Sequence, residues 1–329
     1  MAQVAAAIIG TGSYLPEKIL SNHDFEKFLD TSDEWITTRT GIKERRIAAD
    51  TEATADLAAN AARNAIADAN IDPQTIALII VSTFTPDMPL PSTACFVQQK
   101  LGIKECGAFD LAAACSGFVY GLSVGTQFIQ SGTYKNILVI GAEAITRFTD
   151  YKDRGSCILF GDGAGAVVLS AVQNADRGVK YTKMAADGEG WSLLYIPSGG
   201  TKKPASAQTV EAREHYIKLQ GREIYKFAVH KMQLLIEDAM KKCNLTVADI
   251  SMIVPHQVNQ RILDSACTHC GFPIDKVYVN IDRTGNTSAA SIPIALDEAR
   301  KTGKIKQGDT ILMVAFGAGL TWASAVIKM

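Results

Sequence analysis

The chain has 329 residues, 47% of them hydrophobic and 20% charged, which places it among folded globular proteins with apolar material for one large or two medium domains. Its 33 basic and 34 acidic side chains leave a formal charge of −1, so no global basic field points to nucleic acid as a partner. Seven cysteines at irregular spacing predict free thiols in a reducing, cytoplasmic compartment rather than a disulfide framework.

In chain order, the apolar stretch from Val4 to Ile9 is short, lacks a basic flank and runs into Gly10-Thr11-Gly12, so it predicts a first buried strand and not a signal peptide. No run of about 18 apolar residues follows anywhere, and no membrane span is expected. From Thr54 to Asn70 Ala, Leu and Ile recur every three or four positions, a helical period, and Ile76 to Val81 then reads as a buried strand. Helix followed by buried strand is the α/β signature. The segment Ala108 to Ala114 leads into a second helix from Ser116 to Gln130, which Ser131-Gly132 ends before a strand from Asn136 to Gly141. Residues from about Ala171 to Gly221 carry turn chemistry, with Gly199-Gly200-Thr201-Lys202-Lys203-Pro204, and predict a surface loop. The order then repeats: helix Gly221 to Cys243, strand Ile250 to Pro255, strand Val277 to Ile281, helix Ser288 to Thr302 and strand Thr310 to Ala315.

This order predicts a duplicated chain with halves at residues 1–172 and 173–329. Asn70-Ile71-Asp72 matches Asn244-Leu245-Thr246 at an offset of 174, and Ser131-Gly132 matches Thr302-Gly303 at 171. In this register Cys115 falls opposite Asn286 and Ser82 opposite His256. Open α/β sheets place their sites outside the carboxyl ends of strands, and two such halves would enclose a cleft.

Cys115 lies in Leu111-Ala-Ala-Ala-Cys-Ser-Gly-Phe118, just before the second helix. A thiol there feels the positive end of the helix dipole, so its pKa is expected to fall, as a nucleophile toward thioesters requires. A buried structural cysteine fits the same pattern. His256, in Val254-Pro255-His256-Gln257-Val258-Asn259, follows an apolar strand and so faces a cleft, although a lone histidine is as easily a satisfied core residue. Asn286, in Asp282-Arg-Thr-Gly-Asn-Thr-Ser288, reads by itself as a turn or N-cap residue. Cys267-Thr-His-Cys270 has no second pair at zinc spacing, and Gly10-Thr-Gly12 lacks the third glycine of a dinucleotide fingerprint.

Taken together, Ala113-Ala114-Cys115-Ser116-Gly117, Pro255-His256-Gln257, Gly285-Asn286-Thr287-Ser288 and Phe316-Gly317-Ala318-Gly319-Leu320-Thr321-Trp322 closely resemble the 3-oxoacyl-(acyl-carrier-protein) synthase III branch of the thiolase-like condensing enzymes. Asp33-Glu34-Trp35-Ile36, Arg39-Thr40-Gly41-Ile42, Asp153-Arg154-Gly155 and Phe160-Gly161-Asp162-Gly163-Ala164-Gly165 extend the similarity over nearly the whole chain.

The resemblance implies an α/β thiolase-like fold, its duplicated halves in a five-layered αβαβα arrangement, and a cytoplasmic homodimer without metal or redox cofactor. Its activity is the decarboxylative condensation of an acyl-coenzyme A primer with malonyl on an acyl carrier protein. Cys115 is then the nucleophile, His256 and Asn286 the enolate donors, and the backbone N–H groups of Cys115 and Ala318 the second oxyanion hole; Ala318 stands where the family usually has glycine. Trp35 and Arg39 match the adenine end of the coenzyme A tunnel, with Arg154, Gly221 and Asn259 along its entrance. Leu90 matches the end of the acyl pocket, often contributed across the dimer. Lys226 and Arg261 match the carrier-protein docking positions, whereas Thr268 and His269 replace a lysine pair of some relatives.

Neighbouring families fit less well. A thiolase needs a second cysteine where Ala315 stands, and elongating synthases usually carry histidine where Asn286 stands. A type III polyketide synthase is usually longer, and a hydroxymethylglutaryl synthase needs a glutamate base missing from the matched motifs. A non-catalytic acyl-coenzyme A binding module would not require the intact trio, nor a thiol redox protein a lone CxxC.

Overall fold

Strands buried on both faces read as unbroken apolar runs, and here successive residues of one strand enter different cores. The computed structural model describes residues 4–174 and 176–329. Its first half contains strands β1 (Ala5–Tyr14), β2 (Leu78–Ser82), β3 (Gly107–Leu111), β4 (Asn136–Glu143) and β5 (Gly163–Val172), with helices α1 (Asp33–Thr40), α2 (Thr54–Ala69), α3 (Thr93–Leu101) and α4 (Gly117–Gln130). The second contains β6 (Gly178–Ala186), β7 (Met252–Pro255), β8 (Thr310–Gly317) and β9 (Thr321–Lys328), with α5 (Gly221–Cys243), α6 (Gln260–His269) and α7 (Ser291–Lys301).

In β4, Ile137 and Val139 face one core while Leu138, Ile140 and Ala142 face another; in β8, Ile311, Met313 and Ala315 face the first core and Leu312, Val314 and Phe316 a third. The shared core also takes Phe118 and Leu122 of α4 and Ile292 and Leu296 of α7, so these two helices form the middle layer between the sheets. Helices α2 and α3 cover the outer face of the first sheet, and α5 and α6 that of the second. The five layers are therefore αβαβα.

The five-stranded sheet runs β1-β5-β4-β2-β3 and the four-stranded one β7-β8-β9-β6. Each contains a parallel pair, β2 with β4 and β7 with β8, followed by two antiparallel pairings. The expected strand at 277–281 shrinks to one parallel bridge between Val277 and Ile253. Beyond it the Gln257 amide donates to the Tyr278 carbonyl at 2.9 Å and accepts from the Asn280 N–H at 3.1 Å, taking the positions of ladder bonds. The loop expected at 171–221 is also more ordered: its chain pairs Leu194–Tyr195 with Lys218–Leu219 and carries a short helix at Ala207–Glu211.

The equivalence of the halves is clearest where the middle helices begin. Both open on a 3-10 turn, Ala114–Ser116 and Ser288–Ala290, whose first residue is left-handed, with φ of 46° at Ala114 and 50° at Ser288. The offset there is 174, so Cys115 matches Ala289 and not Asn286, correcting the sequence register. Helix α4 has 14 residues against 11 in α7, which accounts for the shorter offset at the helix ends.

Glycine lets these layers touch. A Cβ on Gly141 of β4 would lie 2.2 Å from the Ala289 carbonyl oxygen, and one on Gly165 of β5 would lie 2.6 Å from the Ile294 N. The second half's middle helix thus meets the first half's sheet backbone to backbone. Substituting Gly141 by Ala is expected to cost about 1–3 kcal/mol, the usual penalty of overpacking. The lowered melting temperature should be seen by calorimetry, and an unchanged one would contradict this close approach.

Candidate active site

Every sequence-selected reactive group lies at the strand ends where the layers converge. Cys115 sits in the turn between β3 and α4 and is 9% exposed; His256 directly follows β7 and is fully buried; Asn286 precedes α7 and is 4% exposed. All three line one cleft of about 230 Å³.

The two donors are held by complementary bonds. The His256 N–H donates to the Val314 carbonyl at 2.8 Å, fixing the backbone, and the imidazole stands edge-on to Phe316 at 5.7 Å. Its Nδ1 lies 2.7 Å from Ser291 Oγ, which accepts the Gln257 N–H at 3.4 Å. When the Ser291 hydroxyl donates to Nδ1, the ring proton resides on Nε2, which has no partner among the described residues. Burial holds the imidazole down to about 3, so it is neutral and a donor. In Asn286, Oδ1 accepts the Ser288 N–H at 2.8 Å, which leaves the amide NH₂ to face the cleft. Strand-like bonds with Leu159 and Gly161, at 2.8 and 3.1 Å, fix its backbone.

The expected fall of the Cys115 pKa does not occur: burial pushes the thiol up to about 12, against a lowering bond from the Ser288 hydroxyl. A helix N-terminus contributes at most about 2 kcal/mol, roughly 1.5 in pKa. Desolvation outweighs it in the substrate-free protein. The left-handed Ala114 aims the following residue, and Thr321 Oγ1 holds that bend by donating to the Ala113 carbonyl at 3.0 Å.

Opposite Cys115, a Cβ on Gly317 would come within 2.7 Å of the Cys115 N, so only glycine fits there. Ala318 does not have a positive φ, and its methyl group is accommodated.

From Cys115 the cleft extends to Trp35, Arg39, Gly221 and Asn259. The Arg39 guanidinium lies 4.4 Å and that of Arg154 5.0 Å from the Trp35 ring centroid, and Asn259 Nδ2 donates to the Arg39 carbonyl at 2.9 Å. Arg154 also donates to the Asp30 carbonyl. Lys226, paired with Glu223 at 3.2 Å, and Arg261 are exposed near the first turns of α5 and α6, whose starts border the mouth. Leu90 is 83% exposed and touches neither cavity beside Cys115.

A second cavity of about 200 Å³ opens on the other side of Cys115. Phe84, Ile145, Leu194, Ile196 and Ile217 make it apolar, and sequence reading missed them all. The apolar run Leu193-Leu194-Tyr195-Ile196 within a turn-rich segment was the available signal. All seven cysteines are free, and among the described residues no group of three or more His, Cys, Asp or Glu is placed to hold a metal ion. No helix among them is long and apolar enough to cross a membrane.

Comparison with known proteins agrees with this geometry. Residues 109–188 match the family model described as 3-oxoacyl-(acyl-carrier-protein) synthase III, and residues 240–329 match its C-terminal model. The chain is 55% identical over 326 residues to the beta-ketoacyl-(acyl-carrier-protein) synthase III of Caldanaerobacter subterraneus subsp. tengcongensis, covering 99% of this chain and 98% of that one. It is 53% identical to the protein of that name from Clostridioides difficile, covering 98% of each. A crystal structure of 3-oxoacyl-(acyl-carrier-protein) synthase III from Aquifex aeolicus superposes with a TM-score of 0.91 at 47% identity, covering 98% of this chain and 100% of that one.

The buried neutral imidazole also makes a statement about stability. Because the folded-state pKa of His256 is depressed from 6.5 to about 3, its contribution is present above about pH 6.5 and is lost as pH falls toward 3. Replacing His256 by Asn should flatten the acid side of the stability profile, by up to about 1.4 kcal/mol per pH unit. Unfolding midpoints of both proteins between about pH 7 and 4 check this; parallel curves would contradict it.

Proposed function

The chain belongs to the 3-oxoacyl-(acyl-carrier-protein) synthase III family, and on that premise we propose that Cys115, His256 and Asn286 perform the family's condensation within the cleft between its halves, residues 1–172 and 173–329. The reaction joins the acyl group of an acyl-coenzyme A to malonyl-acyl carrier protein, releasing coenzyme A and carbon dioxide and giving 3-oxoacyl-acyl carrier protein, the first condensation of fatty acid biosynthesis. The observation that carries the assignment is the pair of neutral donors, His256 Nε2 and the Asn286 amide, in one largely apolar cleft with a thiol.

In the first half-reaction the Cys115 sulfur attacks the thioester carbonyl and coenzyme A leaves. The tetrahedral oxyanion is met by the N–H groups of Cys115 and Ala318, which Gly317 allows to approach. The acyl chain enters the apolar cavity beyond Cys115, while the nucleotide extends the other way toward Trp35 and Arg39, past Arg154, Gly221 and Asn259. The guanidinium groups already beside the indole suit an adenine and its phosphates.

In the second half-reaction malonyl occupies the coenzyme A side. Loss of carbon dioxide leaves an enolate whose oxygen accepts from His256 Nε2 and the Asn286 amide, and its carbon attacks the acyl-cysteine. Two neutral donors supply this stabilisation without a metal or redox cofactor. A positively charged imidazole would instead bind the malonyl carboxylate and oppose its loss.

The carrier protein docks on the mouth beside Lys226 and Arg261, through charge that salt weakens. The enzyme acts as a cytoplasmic homodimer in which Leu90 closes the partner's acyl cavity. Its 83% exposure beside half-exposed Met88 supports that placement, since the side chain has no core of its own to fill.

The half-reactions should separate by mutation. Asn286→Ala is expected to keep most of its acylation of Cys115 while losing about 10²–10³ in carbon dioxide release, the effect of removing one oxyanion donor. Cys115→Ala should abolish acylation yet retain some malonyl decarboxylation. Acyl-enzyme formation followed by mass, and carbon dioxide release followed separately, check both. An Asn286→Ala enzyme that decarboxylates normally but cannot be acylated would overturn the assignment of roles.

A further inference from the structure

Behind the nucleophile lies a carboxyl group that the condensation as described leaves unused. Glu143, the last residue of β4, is fully buried. Its Oε2 accepts from Thr85 Oγ1 at 2.6 Å, Thr83 Oγ1 at 3.1 Å and the Phe84 N–H at 3.3 Å; its Oε1 accepts from Ser288 Oγ at 3.1 Å. No cation pairs with it among the described residues. The Ser288 hydroxyl and Glu143 also both act on the Cys115 thiol, the one lowering and the other raising its pKa, where the turn at 114–116 packs against the turn at 288–290. The connection therefore runs from sulfur to hydroxyl to carboxyl across the junction of the two halves.

A hydroxyl has one proton and cannot donate in both directions. Two arrangements satisfy the chain. In one, the Cys115 S–H donates to Ser288 Oγ and the Ser288 O–H to the Glu143 carboxylate. In the other, Glu143 is protonated and donates to Ser288 Oγ, whose O–H donates to the Cys115 thiolate. They differ by the shift of two protons along the chain, the net movement of one from sulfur to carboxyl, and each buries a single negative charge.

We propose that Glu143, acting through Ser288, takes the Cys115 proton during acylation and holds it for as long as Cys115 carries the acyl group. This rests on the reading of Cys115 as the acylated nucleophile. As sulfur attacks, its proton passes to Ser288 Oγ and the Ser288 proton to Glu143 Oε1. The carbon–sulfur bond of the acyl-coenzyme A breaks, and coenzyme A leaves as a thiolate that takes a proton from water. After decarboxylation the enolate carbon attacks the acyl-cysteine. Cys115 departs with the bonding electron pair and recovers its proton from Glu143 through Ser288. Each turnover thus takes up one proton from solvent, which ends on coenzyme A.

The proton affinities suit a shuttle. Burial raises the Glu143 carboxyl to about 8, against the lowering effect of its four donors, so both of its states are accessible near neutral pH. An ordinary glutamate would be too weak a base for a thiol. The surrounding titratable groups do not compete. Asp162 precedes Gly163, the ladder partner of Glu143, and accepts bonds from Ala48 N–H and from the backbone and hydroxyl of Thr146. His256, on the opposite side of the site, is neutral, and Cys115 is the other end of the relay.

The test follows the rate of Cys115 acylation by acyl-coenzyme A, read by mass, from about pH 6 to 10 in the full-length enzyme and in Glu143→Gln, Glu143→Asp and Ser288→Ala. The wild-type rate should rise with pH and level off near 8, where Glu143 ionises. Glu143→Gln and Ser288→Ala should be slowed by at least about tenfold at pH 8 and should keep rising by about tenfold per pH unit, since solvent must then remove the proton. Glu143→Asp should keep a plateau. A folded Glu143→Gln with the wild-type profile would show that the carboxyl only ties loop 83–85 to the turn at Ser288, and would overturn the relay; should that variant not fold, Ser288→Ala decides on the same criterion. A wild-type enzyme that carries no acyl group on Cys115 at any pH overturns the nucleophile itself, an outcome distinct from a lost plateau.

Discussion

The contact on which the site depends is the meeting of two backbones, Gly141 of the first sheet and Ala289 at the start of the second half's middle helix. No side chain intervenes there, so the turns that open α4 and α7 come together between the sheets. Cys115 belongs to one turn and Ser288 to the other, with Asn286 two residues earlier. The resulting site is lined mostly by apolar groups, drawn from sheet, helix and the folded segment around Leu194. A looser junction would admit water and place the reactive groups on separate surfaces.

Burial explains the electrostatics. Burial acts on whichever form carries charge, and here it moves thiol, imidazole and carboxyl toward neutrality together: Cys115 up to about 12, His256 down to about 3 and Glu143 up to about 8. For an enolate this is favourable, since neutral preorganised donors stabilise a charge that appears only as carbon dioxide departs. For a nucleophile it is unfavourable, and the helix N-terminus is too weak to reverse it. The thiol therefore depends on its neighbours, which is the chemical reason that a hydroxyl and a carboxyl behind it matter.

Much of this was legible in the residues. The apolar run from Ile76 to Val81 announced a buried strand, and the helical period of 54–70 gave that helix's ends to within a residue. Cys115, His256 and Asn286 were singled out through the family resemblance of their motifs, and the fold brings all three to one cleft. Other features depended on tertiary context. The strand at 277–281 fails because a side chain, Gln257, takes the backbone's bonds, which no local pattern reveals. The pairing of Cys115 with Asn286 by offset was misplaced because α4 is longer than α7. The sign of the thiol's shift was misjudged because a dipole can be read from sequence whereas burial cannot. Glu143 ends an apolar strand in Gly141-Ala142-Glu143, a position where α/β sheets place functional groups, but nothing local indicated that it lies behind Cys115.

The central claim is that Cys115 is the single point at which the acyl group becomes covalently attached. Peptide mapping by mass spectrometry after brief exposure to acetyl-coenzyme A tests it most directly. The account predicts an acetyl-sized increase confined to the peptide containing Cys115, discharged on addition of malonyl-acyl carrier protein. Acetylation at another of the seven cysteines, or reversible binding with no covalent adduct, would contradict it.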